Sequence, residues 1–122
     1  MGLVSSYYKG IIFEIFAIIY LLIKGYKIVK TNYKTKVGEI DIIVKKNNVV
    51  VAVEVKKRTT IDIAMEAISE KQKNRISSAF LYFLKVNPTY CNHNYRFDAI
   101  LIAGIKLIHI KNAWLFKNKR EY

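Results

Sequence analysis

Cysteine and proline are nearly missing from this chain, with one residue of each, and acids are scarce. The lone Cys91 excludes a disulfide framework and a cysteine-based zinc cluster, and it fits a reducing cytoplasm. His93 lies nearby, but both fall in the polar stretch Asn87–Asn94, which reads as a loop, so the pair is incidental. No Pro- or Gly-rich linker, internal repeat or low-complexity segment divides the sequence, so residues 1–122 read as a single domain. Only nine Asp and Glu stand against 21 Lys and Arg, a formal net charge of +12. That excess favours a polyanionic partner, through phosphate neutralisation and counterion release. Over-use of Lys, Ile, Asn and Tyr, as a biased genome produces, is the competing explanation.

A long apolar run is missing too. Ile11–Ile23 is interrupted by Glu14 and falls short of the roughly 20 apolar residues a bilayer span requires. No small-residue cleavage site follows it before Gly25-Tyr26-Lys27. The stretch reads as a helix buried in a core, with an interfacial anchor as the minor alternative. At 52% hydrophobic and 25% charged, the composition is that of a compact globular chain, not a disordered one.

Ser5–Lys24 predicts a largely buried helix closed by Gly25, and Tyr26–Thr31 a short strand with Ile28 on one face and Val29 on the other. Gly38–Val44 and Val51–Arg58 alternate as strands. Asn47-Asn48 lies between them, and Asn tolerates the positive φ of a tight hairpin turn. Thr59–Ser69 is polar, with a helical turn around Ala64–Ile68. A second long helix starts at Ser69, with Gln72 at the reciprocal position of a capping box. It buries Ile76, Ala79, Phe80 and Phe83 and stops at Pro88. Tyr95–Ala103 and Lys106–Ile110 form a last strand pair, turned near Gly104. The order implies an α/β fold, a mixed five-stranded sheet flanked by helices.

The hairpin carries the functional signal. Alternation puts Ile40, Ile42 and Val44 on one face with Val51, Val53 and Val55, leaving Glu39, Asp41, Glu54 and Lys56 on the other. A two-residue turn sets Lys46 against Val49, which counts back to Asp41 opposite Glu54 and Glu39 opposite Lys56. Directly opposed like charges destabilise a sheet, and a divalent cation between the carboxylates removes the conflict. Magnesium prefers hard oxygen ligands and needs only one or two carboxylates, because waters and substrate phosphate complete its shell. The backbone carbonyl of Val55 is a further candidate donor. Such an ion assists phosphodiester cleavage, and Lys56 projects over the same patch, where it can orient water or stabilise developing charge. Glu39 either joins this site or forms a simple ion pair with Lys56.

Glu14 is a carboxylate inside an apolar helix, costly unless paired or bound to a cation. It completes the metal shell if that helix covers the carboxylate face, or else meets a basic residue or solvent. Lys and Arg surround the site in sequence, among them Lys34, Lys57, Arg58, Lys71 and Arg75. Gln72 caps its helix or points toward substrate. Arg96 and Asp98 read as a structural ion pair, His109 as a hydrogen-bonded strand residue, and Trp114 and Phe116 as core seals.

At these residues the chain resembles the bacterial YraN-like proteins, the uncharacterised family UPF0102. That family is regarded as related to restriction-endonuclease-like nucleases with the PD-(D/E)xK motif and to archaeal Holliday junction resolvases. The resemblance runs through Glu14 with Ala17, Tyr20 and Leu21; Gly25-Tyr26; Asn32; Gly38-Glu39-Ile40-Asp41; and Val53-Glu54-Val55-Lys56 with Arg58. It continues through Lys71, Arg75, Arg96-Phe97-Asp98, His109-Ile110 and Asn112-Ala113. It implies a restriction-endonuclease-like fold, with Asp41, Glu54 and Lys56 in the D, E and K places and Glu14 as the resolvases' helix acid. Phe13, where the family usually carries a small residue, and Lys34, where it usually carries Arg, depart from the pattern.

Three functions follow as expectations. The first is a cytoplasmic Mg²⁺-dependent nuclease, with Mn²⁺ as substitute. It acts on DNA rather than RNA, on branched or structured DNA in particular, and a homodimer suits cleavage of two strands. The second is a non-catalytic nucleic-acid-binding protein that keeps the fold. The third is a peripheral membrane or protein-interaction role for the Ile11–Ile23 stretch.

Overall fold

The order of strands in space repeats their order along the chain, and a single parallel junction breaks the run of hairpins. The computed structural model describes residues 2–116, with side chains from residue 10 onward. Helix α1 (Gly2–Ile23) precedes β1 (Lys27–Lys34), β2 (Glu39–Lys46) and β3 (Val49–Lys57). Helices α2 (Ile61–Glu66) and α3 (Glu70–Val86) follow, then β4 (Asn94–Ala103) and β5 (Lys106–Ile110). β1–β2, β2–β3 and β4–β5 pair antiparallel, whereas β3 and β4 run parallel. A parallel pair needs a crossover, and α2 with α3 supplies it. The expected mixed five-stranded sheet flanked by helices is therefore the architecture present, consistent with a restriction-endonuclease-like fold.

Local sequence explains the boundaries. Gly25 sits at φ +92°, the Gly25 amide donates to the Leu22 carbonyl and the Tyr26 amide to that of Leu21, so the chain leaves α1 in a Schellman turn. Asn47 adopts φ +52°, and Lys46 pairs with Val49 as the two-residue turn requires. Ser69 caps α3 by accepting from the Gln72 amide at 3.1 Å. Crossover helix α2 covers Ile61–Glu66, earlier than the turn expected around Ala64–Ile68, because Thr60 caps it by accepting from the Ile63 amide.

Two cores flank the sheet. On one face α1 contributes Ala17 and Leu21 to a layer with Ile42, Val44, Val51 and Val53. On the other, α3 packs Ile76, Ala79, Phe80 and Phe83 against Ile43, Val50, Ala52 and Phe97. Trp114 stacks on Phe97 and donates to Ser77 Oγ at 3.1 Å, and Phe116 packs against the same layer, so both aromatics seal the core.

Two expectations need correction. Helix α1 is not largely buried. Only its inner side meets the sheet, while Ile12, Ile15, Phe16, Ile19, Leu22 and Ile23 are 46–78% exposed, because no described segment lies over its outer side. Nor do Ile40 and Ile42 share a face. Ile40 joins the α3-side core and Ile42 the α1-side core, so the alternation of β2 breaks at Asp41.

Candidate active site

That break sits where the acids meet. β2 and β3 keep the expected register through Ile42 opposite Val53. One step further the backbone ladder gives way, and the Val55 amide donates to Asp41 Oδ2 at 2.8 Å instead of to a main-chain carbonyl. On the other side of β2, Asn32 occupies the step between the Thr31–Ile42 and Tyr33–Ile40 pairs and adopts φ +51°. Asn is among the few side chains that tolerate this left-handed conformation. The sheet is thus distorted on both sides of Asp41, where period-two alternation would have hidden its carboxylate on one face.

Glu54 is 4% exposed, and its Oε2 accepts from Gln72 Nε2 at 2.6 Å and lies 3.3 Å from Lys56 Nζ. Burial pushes its pKa up, and the charge and hydrogen bonding of neighbouring Asp41 push the same way, while Lys56 opposes them. The net result is a carboxyl raised to about 8, so that one proton is retained beside Asp41 at neutral pH. Lys56 therefore pairs with Glu54. The expected alternative, an ion pair between Glu39 and Lys56, is not among the described salt bridges; Glu39 stands opposite Lys34 of β1.

Helix α1 does not cover the carboxylate face of β3, since it packs on the layer of Val51 and Val53. Glu14 nonetheless reaches the neighbourhood of Asp41, at the end of α1 that borders the acids. Burial raises its pKa, Asp41's charge adds to that, and a hydrogen bond with the Asn32 side chain works against both. Glu14, Asp41, Glu54, Lys56 and Gln72 line one cleft of about 620 Å³, together with Phe13, Lys57 and Arg58. Lys57 Nζ lies 5.2 Å from the centre of the Phe13 ring, so this bulky residue forms part of the cleft wall and holds a cation over it.

The remaining basic residues lie around this cleft rather than in it. Lys34 lines an adjoining hollow that shares Gly10 and Glu14 with it. Lys71 and Arg75 line another with Glu39 and Ser69, joined to the cleft through Gln72.

Among the described residues, no three His, Cys, Asp or Glu side chains converge as a ready metal cage. The donor set nonetheless fits a hard divalent ion held by few protein ligands. Two carboxyls lie side by side, burial and then the charge of Asp41 keep a proton on Glu54, and a bound cation would take that proton's place. Asp41 and Glu54 are the residues that could hold such an ion, with Glu14 lining the same cleft.

Sequence reasoning gave two residues too small a part. The sequence offers Gln72 as a reciprocal cap or a substrate contact, yet its side chain turns away from Ser69 to clamp Glu54. Asn32 carries Glu14's hydrogen bond and the distortion opposite Asp41. Apart from its place in the family resemblance, an amide in a strand otherwise rich in Lys is a weak signal.

A second polar cluster is structural. Asp98, wholly buried, accepts from Arg96 Nε at 2.8 Å and from the Asn112 amide at 3.1 Å, and lies 2.7 Å from His109 Nε2. Arg96 also donates to the Tyr26 hydroxyl, and Tyr20 meets His109 Nδ1 at 3.1 Å. Burial raises the Asp98 pKa, but these hydrogen bonds and the Arg96 charge outweigh it, leaving the carboxyl below its ordinary range. The expected Arg96–Asp98 pair and hydrogen-bonded His109 are both present, tying α1 to β4 and β5.

Known sequences are similar to this chain over most of its length. A UPF0102 protein of Rhodopseudomonas palustris (strain HaA2) is 38% identical over 104 residues, covering 85% of this chain and 81% of its own. Another, from Bradyrhizobium diazoefficiens, is 40% identical over 100 residues, 82% of this chain and 75% of its own. A third, from a Sulfurihydrogenibium species, is 39% identical over 108 residues, 87% and 93% of the two chains. The profile of the uncharacterised protein family UPF0102 matches residues 13–102, a segment that runs from the wall of the cleft through Asp41, Glu54 and the buried Asp98. The chain belongs to that family.

Proposed function

We propose that the cleft around Asp41 and Glu54 is the active site of a Mg²⁺-dependent nuclease, with Mn²⁺ able to substitute. The observation that carries this reading is the forced pairing of the two carboxyls with Lys56 beside them. Oxygens of Asp41 and Glu54 would hold the ion, which, when bound, supplies positive charge to the scissile phosphate. Gln72 fixes one oxygen of Glu54 and so limits how the carboxylate can rotate. Lys56, 17% exposed and already aimed at the site, orients the attacking water or meets charge as it grows on phosphate oxygen. Lys57 and Arg58 lie along the same cleft and grip flanking phosphates. Lys34, Lys71 and Arg75 extend the cationic surface into the adjoining hollows. We take DNA as the polymer, branched or structured DNA in particular, and the cytoplasm as the compartment.

The test is cleavage of labelled linear and branched DNA with Mg²⁺ or Mn²⁺, comparing the wild type with Asp41→Asn, Glu54→Gln and Lys56→Ala. Loss of metal-dependent cutting in all three supports the reading, and cutting that survives the two acid substitutions refutes it. A second reading draws on the lack of a three-donor cage among the described residues. A non-catalytic nucleic-acid-binding protein would bind DNA in a salt-sensitive way, unaffected by chelator or by loss of Asp41.

A further inference from the structure

Helix α1 has an outer side that nothing among the described residues covers. At 100° per residue, Ile11, Leu22, Ile15, Ile19, Ile12, Ile23 and Phe16 fall in that order around one arc, and every one is exposed by 36–78%. From residue 10 onward, no polar side chain interrupts the arc. The inner side, through Phe13, Ala17, Ile18 and Leu21, is already spent on the sheet. A helix with apolar residues on both its inner and its outer side is ordinarily covered on both, so the exposed side calls for a partner.

Seven large side chains, each about half exposed, present on the order of 700 Å², near the ~800 Å² that each partner gives to a stable interface. The spacing within the arc also points to a helix as occupant. Ile12, Ile15, Ile19 and Leu22 recur at steps of three, four and three, the seam that lets side chains of one helix enter gaps between those of another. A second copy of this chain offers a matching seam, and a two-fold axis needs no separate complementary surface. No charge lies within the arc, so apposing two copies buries none. The six C-terminal residues 117–122, Lys-Asn-Lys-Arg-Glu-Tyr, bring too little apolar surface to cover it instead.

We propose that the protein is a homodimer in which α1 packs against α1 of a second copy through Ile12, Ile15, Ile19 and Leu22. None of these four belongs to the acid cleft, so the interface and the nuclease reading stand or fall separately.

The experiment is sedimentation or light scattering of the full chain at micromolar concentration, where twice the 14.2 kDa chain mass is expected. The double variant Ile15→Lys/Ile19→Lys should run as a monomer with an unchanged circular dichroism spectrum, since both residues are half exposed in the single chain. Should that variant fail to fold, single cysteines at the four seam positions in a Cys91→Ser background give an independent readout. Oxidation should then link two chains through at least one of them. A monomeric wild type, a dimer indifferent to the double substitution, or no cross-link at any seam position overturns the proposal. A monomer that floats with anionic phosphatidylglycerol vesicles overturns it in favour of a lipid surface.

Discussion

Replacing Glu54 by Gln should abolish a fall in stability with rising pH that the wild type shows when metal-free. Folded Glu54 keeps its proton to about pH 8, whereas the unfolded chain releases it near the ordinary glutamate value of 4.5. Between those limits the folded state binds more protons, so each rise in pH favours unfolding, by about 1.4 kcal/mol per unit. Accumulated over that window the ceiling is about 5 kcal/mol, and about 3 kcal/mol is reached by pH 7. Gln keeps a carbonyl oxygen for the Gln72 and Lys56 donors but has no proton to lose, so its curve should be flat over the same window apart from changes common to both proteins. The assay is urea unfolding in chelator at several pH values from 5 to 8, read as the difference between the two proteins. Parallel curves would refute the reasoning, because they mean that Glu54 ionises alike in both states. Adding Mg²⁺ at pH 8 should restore the wild type and leave Glu54→Gln unmoved, since a ligand that binds only the folded state stabilises it by mass action.

Asp98→Asn should cost about 3–5 kcal/mol, because it takes the charge from a wholly buried acceptor and leaves the partly buried Arg96 without its counter-charge. Since the native Asp98 pKa is depressed below 3.8, its stabilisation is present above that value and lost as pH falls below it. Thermal melts of the Asn variant should lack that acid-side loss. Gly38→Ala drives a Cβ into the Arg75 carbonyl oxygen, a backbone atom, and should cost about 1–3 kcal/mol as β2 is driven from α3. Denaturant midpoints check this, and an unchanged midpoint would show the two elements to be loosely held. Lys57→Ala and Arg58→Ala should each reduce the slope of log K against log salt for DNA binding by about one. Fluorescence anisotropy across a salt series measures that slope, and an unaltered value would remove these residues from the phosphate contacts.

How much the sequence revealed depended on how local the cause was. The Asn47 turn fixed the hairpin register, and with it the meeting of Asp41 and Glu54, because a two-residue loop leaves one way to count. The buried face of α3 followed from its own periodicity, and Ile76, Ala79, Phe80 and Phe83 all lie inside. Gln72's turn toward Glu54 was not legible, because a cap and a clamp ask for the same amide at the same place. The opposite facing of Ile40 was hidden as well, since alternation assumes a regular strand and the distortion arises with Asn32 across the ladder. For α1, hydrophobicity alone spoke for burial, while only the fold decides how many sides of a helix have neighbours.

Strand succession in this sheet bears on how the cleft assembles during folding. The two acids sit in one hairpin closed by a two-residue turn, so few residues must be ordered before they meet. Gln72 reaches Glu54 only after the chain has traversed α2 and entered α3, and β4 docks beside β3 later still along the sequence. Repulsion between the carboxyls is therefore encountered early, by a ribbon with little else to hold it. A cation present at that moment would speed formation of this hairpin as well as steady the finished protein.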